Sequence, residues 1–273
     1  MAESPTDTAA LAQTCQDLYA ALRQDAPLVQ CLTNFVSMNI GANVLLAMGA
    51  SPAMVHATDE APEFARVAGA VVINIGTLSA PWLESMLLTA ASARQAGIPW
   101  VLDPVAHHAT AFRRDAVRQL LALQPTIVRG NASEIIALAG GQSAGKGVDA
   151  RDAVAQAEQS ARDIATAHRT VVAVTGETDY VTDGGRSVRV TGGSPLMPRV
   201  TATGCALTAL VGAFAAVSKD DAYPAAVAAL SCFAIAGQRA GALAEGPGSF
   251  AWRFLDALAS LEADSLTRES PLR

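Results

Sequence analysis

The sequence predicts an α/β fold: a mainly parallel sheet with helices on both faces and an antiparallel edge. Three observations predict it. Short apolar runs alternate with helix-period segments through most of the chain. The runs at 70–75 (AVVINI) and 170–174 read as buried strands, as a sheet with helices on both faces requires. The hairpin signal, Asp183-Gly184-Gly185 between residues 180–182 and 187–190, comes late and adds an antiparallel pair.

The elements follow in order. Residues 8–24 read as a helix, with Leu11, Cys15, Leu18 and Leu22 on one face. A strand is expected at 28–32, then a helix at 37–48 ended by Gly49. A brief strand at 53–55 and a short helix at 60–68 precede the strand at 70–75. The helix at 81–95 is closed by Gly97. Strands at 100–102 and 126–128 flank a helix at 114–123. A helix at 132–138, a Gly/Ser loop at 140–147 and a helix at 150–167 lead to the strand at 170–174. After the hairpin the chain is helical, at 206–217, 222–242 and 250–261. With no internal repeat and no linker, residues 1–273 are expected to form one domain.

Composition narrows the function classes. The net charge is −6, and Lys146 and Lys219 are the only lysines. No dense basic run offers a nucleic-acid face. The four cysteines, Cys15, Cys31, Cys205 and Cys232, form no CxxC and no Cys-His cluster, so a reducing compartment is the natural reading. The start MAESPTDTAA lacks a basic, then apolar, signal pattern. The apolar run at 205–217 is short of the roughly 20 residues of a membrane span. The expectation is a cytoplasmic protein with no membrane partner.

Polar residues collect where strands end. The strands run into Thr33-Asn34, Gly76-Thr77, Asp103-Pro104, Arg129-Gly130-Asn131 and Thr175-Gly176-Glu177. In an open α/β sheet, ligands bind beyond the carboxyl ends of strands, so these endings predict a polar cleft along one sheet edge.

The segment VTATGCALTA (200–209) is the strongest local signal. A Thr/Gly turn leads straight into an apolar helix, with Thr203 as N-cap and Gly204 admitting a close ligand. The N–H groups of Gly204, Cys205 and Ala206 would then form an anion site, although an ordinary capped helix has the same pattern. Placed at a helix start, the Cys205 thiol is expected to have a depressed pKa and to be available as a base or nucleophile; a small buried apolar role is the other reading. Asp103 and Glu134 are candidate Mg²⁺ carboxylates, Glu134 serving equally as a dipole partner of its helix. Arg129 fits a phosphate or a structural ion pair. His107-His108 has no third metal ligand beside it in the sequence.

Eight ordered blocks then resemble the hydroxyethylthiazole kinase family of the ribokinase-like superfamily: LTNFVSMNIGANVLLAMGASPAM (32–54), VVINIGTL (71–78), VLDPV (101–105), IVRGNASEI (127–135), KGVDA (146–150), AVTGETD (173–179), TATGCALTALVGAF (201–214) and GPGSF (246–250). The resemblance implies a three-layer αβα sandwich and a homotrimer with interfacial active sites. It implies transfer of the ATP γ-phosphate to the hydroxyl of 4-methyl-5-(2-hydroxyethyl)thiazole. Residue by residue, Met54, Ala202 and Asn34 would meet the thiazole substrate or its phosphate path. Arg129, Thr175, Thr203 and Gly204 would contact ATP, and Asp103 and Glu134 would organise Mg²⁺. Cys205 stands where many ribokinase-like enzymes carry an aspartate base. Phosphoryl transfer needs little help in removing the alcohol proton, so Cys205 is expected to be an auxiliary base at most.

Two departures stand out. Position 202 is usually glycine in the family, and an alanine there with positive φ would be strained and would shift the anion site. The usually small, glycine-containing loop after Asp103-Pro104-Val105 reads Ala106-His107-His108 here. Other readings on the same fold are an ATP-dependent dehydratase, a pyrimidine kinase and a non-catalytic binding homologue.

Overall fold

The computed structural model describes residues 5–141, 150–218 and 220–273. From 142 onward the expected Gly/Ser loop lies outside the described residues, as do the first four residues of the KGVDA block.

In chain order the elements are α1 (Pro5–Asp25), β1 (Leu28–Leu32), α2 (Met38–Met48), β2 (Ser51–Ala53), α3 (Ala61–Phe64), β3 (Ala70–Asn74), α4 (Ala80–Ala96), β4 (Trp100–Asp103), α5 (Ala111–Ala122), β5 (Ile127–Asn131) and α6 (Ala132–Leu138). Then come α7 (Ala150–His168), β6 (Val171–Thr175), β7 (Asp179–Thr182), β8 (Ser187–Val190), α8 (Thr203–Val217), α9 (Ala222–Leu243), α10 (Pro247–Ala259) and α11 (Ser265–Arg268).

The strands form one sheet in the order β2-β1-β3-β4-β5-β6-β7-β8. Pairs from β2 through β6 are parallel, and β7 and β8 add the expected antiparallel edge. Because side chains alternate across a strand, each buried strand feeds two cores. Val72, Val101 and Ala173 face the core under α1, α2 and α8–α11. Val71, Ile73, Leu102 and Val172 face the core under α3–α7. That double burial is why these strands read as near-continuous apolar runs, and it makes the fold a three-layer αβα sandwich.

Some details differ from the sequence reading. β2 pairs with β1 through Ser51–Ala53 rather than 53–55. The Val55 carbonyl instead accepts from Nε2 of the buried Gln30 at 3.1 Å, which also donates to Ala61 O at 3.0 Å and so holds the chain between β2 and α3. The last residues pair along β8, with Arg189 N donating to Arg273 O at 3.0 Å. Helix α9 is longer than the apolar run at 205–217 and apolar enough to span a membrane, but most of it is buried against α1, α8 and α10.

The chain leaves β1 toward β2 on one side, then crosses back to β3 on the other. The gap between the carboxyl ends of β1 and β3 is therefore a topological switch point, the place where such sheets bind ligands.

Candidate active site

Five neighbouring parallel strands deliver the polar residues. Asn34 follows β1, Asn74 and Asp103 end β3 and β4, Arg129 lies in β5, and Thr175 ends β6. Helix α8 starts over these ends.

Asp103 is fully buried. Its Oδ2 accepts from Asn74 Nδ2 at 2.7 Å and from the Thr208 hydroxyl at 2.6 Å, and lies 3.6 Å from Arg129 Nη1. Its Oδ1 is buried with no hydrogen-bond partner among the described residues. Burial raises the carboxyl pKa to about 6, against the opposing pull of Arg129 and Thr208. Arg129 Nη2 donates to the Thr175 hydroxyl, and its Nε has no partner among the described residues. A Cβ at Gly204 would lie 2.9 Å from Arg129 Nη2, so only glycine lets the α8 start close over this guanidinium.

Glu134 caps its own helix. Its Oε2 accepts from Asn131 N at 2.8 Å, while Asn131 Oδ1 accepts from Glu134 N at 3.0 Å. Its Oε1 accepts from Ala106 N at 2.9 Å, which ties the loop after β4 to α6. A divalent cation takes hard oxygen ligands and keeps several waters. The orphaned Asp103 Oδ1 suits one, and each Glu134 oxygen keeps a lone pair beyond its single N–H bond. No group of three or more His, Cys, Asp or Glu side chains gathers among the described residues, so such an ion would rest on these carboxylates, water and phosphate. His107 turns away from this role: it is buried, its Nδ1 faces Pro104 O at 3.2 Å, and burial lowers its pKa.

The start of α8 corrects three expectations. The N-cap is Ala202, with φ 60° and ψ 12°, not Thr203. Thr203 is already helical, and its hydroxyl donates to Val200 O at 2.7 Å. The Ala206 N–H closes the first turn onto Ala202 O at 2.9 Å, so the N–H groups ahead of the helical ladder are those of Thr203, Gly204 and Cys205. Ala202 does adopt the left-handed conformation, and the first helical bond beside it is made. Cys205 is the third correction. Its pKa is raised, not depressed: burial and the nearby Asp103 outweigh the donors from Asn34 and Asn74 and the charge of Arg129.

Cys205 is partly buried and accepts from Asn34 Nδ2 at 3.4 Å. The remaining sequence-derived residues fall into two groups. Arg129, Thr175, Thr203 and Gly204 all line one cavity of about 730 Å³, together with Asp179 and Phe233. Met54 stands apart from both the cavity and the hydrogen-bonded cluster, half-buried against the α8–α9 core just after β2.

Sequence reasoning missed Asn74, Thr208 and Arg113. Asn74 is the lone polar residue of AVVINI, a readable signal. Thr208 lies one turn beyond Gly204 on the same helix face. Arg113 carried no signal. Its guanidinium donates to Ile75 O at 2.8 Å, Val105 O at 2.9 Å and Gly76 O at 2.6 Å, clamping the loops after β3 and β4 together.

Residues 19–264 match the model of the hydroxyethylthiazole kinase family. The chain belongs to this family. A hydroxyethylthiazole kinase of Rhizobium johnstonii is 67% identical over 246 residues, covering 90% of this chain and 92% of the relative. One of Gemmatimonas aurantiaca is 58% identical over 251 residues, covering 92% of this chain and 90% of the relative. The solved hydroxyethylthiazole kinase of Pyrococcus horikoshii superposes with a TM-score of 0.87 at 40% identity, covering 95% of this chain and 98% of the other. A pyridoxal kinase of Staphylococcus aureus, with a TM-score of 0.60 at 16% identity over 78% of this chain and 88% of its own, shares the ribokinase-like fold alone. For a member of the hydroxyethylthiazole kinase family matched over this much of its length, the dehydratase, pyrimidine-kinase and binding-protein readings are not favoured.

Proposed function

We propose that this kinase transfers the γ-phosphate of ATP to the hydroxyl of 4-methyl-5-(2-hydroxyethyl)thiazole, with the labour divided along the sheet edge. The observation that carries this division is the Asp103–Arg129–Thr175 chain, whose Arg129 and Thr175 line the 730 Å³ cavity together with Thr203 and Gly204 of the α8 start.

ATP takes the cavity. Arg129, Thr175, Thr203 and Gly204 face its phosphates, and the free N–H groups at the α8 start receive phosphate oxygens. Asp103, with Glu134 beside it, would hold Mg²⁺ and its waters; when bound, the ion neutralises phosphate charge. Asn34, Ala202 and Met54 form the thiazole side. Cys205 accepts a hydrogen bond next to the attacking hydroxyl and acts at most as an auxiliary base, because a thiol of raised pKa is protonated at neutral pH.

The chain works as one catalytic domain, in the cytoplasm, without nucleic acid or membrane as partner. It forms a homotrimer whose neighbours complete the thiazole site. Phe35 and Val36, directly after Asn34, are 68% and 55% exposed, and the adjoining β2 is a sheet edge. The test is ADP release from Mg-ATP with and without the thiazole alcohol, product mass by mass spectrometry, and oligomer mass by sedimentation. Thiazole-dependent ADP, a monophosphate product and a trimer mass are expected. ADP release indifferent to the alcohol overturns the substrate, and a monomer with full activity overturns the trimer.

A further inference from the structure

Asn74 is 1% exposed at the switch point between β1 and β3, and both ends of its amide are committed. Its Oδ1 accepts from Gly76 N at 2.9 Å and from Asn34 Nδ2 at 2.8 Å. Its Nδ2 donates to Asp103 Oδ2 at 2.7 Å. Asn34 is equally committed: its Oδ1 accepts from Val36 N at 3.1 Å and Ser37 N at 3.0 Å, leaving its N–H groups for Asn74 and Cys205. Backbone N–H groups can only donate, so Gly76 at one end and Val36 and Ser37 at the other fix the direction of both amides. A Cβ at Gly76 would lie 2.7 Å from Asn34 Nδ2, so the glycine leaves room for this contact. The result is an unbroken chain from the thiol through Asn34 and Asn74 to the Asp103 carboxyl.

We propose that Asn74 is a positioning residue for phosphoryl transfer, holding one N–H of the Asn34 amide so that the other points to Cys205, beside the attacking alcohol, while linking that amide to Asp103. It touches neither substrate; it acts by keeping the acceptor side and the phosphate side in one register. Misplacing a reacting group by a fraction of an ångström is enough to slow a transfer governed by alignment. The inference rests on the roles given above to Asn34 and Asp103.

The experiment compares Asn74→Ala, Asn74→Asp, Asn34→Ala and the Asn34/Asn74 double alanine variant by steady-state kinetics. Alkylation of Cys205 by iodoacetamide is followed by peptide mapping; Cys15, Cys31 and Cys232 are buried and serve as internal controls. Asn74→Ala is expected to lower kcat about 10- to 100-fold, with KM for ATP within about 3-fold, and to raise the alkylation rate of Cys205 several-fold. The double variant should lose little beyond Asn34→Ala, because the two act as one unit. Asn74→Asp keeps the acceptor toward Asn34 and Gly76 but sets a carboxylate against Asp103, so it should lose kcat while Cys205 alkylates at the wild-type rate; this variant decides the matter if Asn74→Ala does not fold. Wild-type kcat in either Asn74 variant, with Asn34→Ala impaired, overturns the role of Asn74 alone. Wild-type kcat in Asn34→Ala overturns the site reading beneath it. Loss in Asn74→Ala with a matching rise in both KM values and unchanged Cys205 alkylation means a merely structural residue, and also overturns the proposal.

Discussion

Asp103 and Arg129, on the neighbouring strands β4 and β5, meet as a buried ion pair with 3.6 Å between Arg129 Nη1 and Asp103 Oδ2. Even with this cation beside it, Asp103 titrates at about 6, because burial weighs more than the pairing. The two are therefore mutually dependent.

Replacing Arg129 by alanine strands the carboxyl. Asp103 then rises further, Thr175 loses its donor, and the cavity loses its phosphate-facing fork. The expected result is a fall in kcat/KM for ATP of about 10²-fold or more and a loss of roughly 3 kcal/mol of stability, read by steady-state kinetics and urea unfolding. Arg129→Lys should regain part of the stability but little of the ATP affinity, since an ammonium cannot serve Asp103 and Thr175 as a planar fork does. Equal recovery of both would remove the fork from the account.

The two small residues at the α8 start should respond in opposite senses. Gly204→Ala puts a Cβ 2.9 Å from Arg129 Nη2, so either the helix start or the guanidinium must move. KM for ATP should rise about 10-fold or more. Ala202→Gly instead relieves an alanine at φ 60° and should raise stability by about 0.5 kcal/mol, with kinetics nearly unchanged. Thermal melts and KM measurements on the two variants check both; an unperturbed KM in Gly204→Ala would show that the closure over Arg129 is not needed.

Cys205→Ser tests the thiol. Its raised pKa leaves it protonated at neutral pH, and serine keeps an oxygen to accept from Asn34. Activity should stay within about 10-fold of wild type. A drop beyond about 10³-fold in folded protein would make Cys205 an essential base.

Asp179 supplies a pH signature away from the carboxylates proposed for Mg²⁺. Burial raises its pKa to about 6, partly offset by the Gly176 N–H at 2.9 Å and by Arg129. A carboxyl raised above its unfolded value stabilises the protein while protonated, and that stability is lost as pH rises from about 4 through about 6. Asp179→Asn keeps an oxygen for Gly176 and removes the titration. Urea midpoints should therefore favour the variant by about 1–2 kcal/mol at pH 7.5 and by almost nothing at pH 4. A constant difference across that range would mean that Asp179 does not titrate as its surroundings imply.

Much of this architecture was legible before any coordinates. The apolar runs that became β3, β4 and β6 are continuous because both faces are covered, and that pattern is local. Gly49 and Gly97 marked the ends of α2 and α4, where both adopt positive φ. The polar strand endings marked the sheet edge on which Asn34, Asp103, Arg129 and Thr175 lie. The capping box was half visible, since Asn131 and Glu134 have its spacing, but the reach of Glu134 to Ala106 depends on a loop 28 residues away.

The sequence by itself determined the order of strands and helices, the polar residues at the strand ends and the family, because periodicity, turn chemistry and motif spacing act over a few residues. Only the tertiary structure decided that Asn34 and Asn74, 40 residues apart, share a hydrogen bond across the switch point, that Thr208 joins Asp103 across 105 residues, and that the Cys205 thiol moves up rather than down. The physical reason is that a helix start favours a thiolate locally, whereas desolvation and a neighbouring carboxyl are set by which strands the fold brings alongside it.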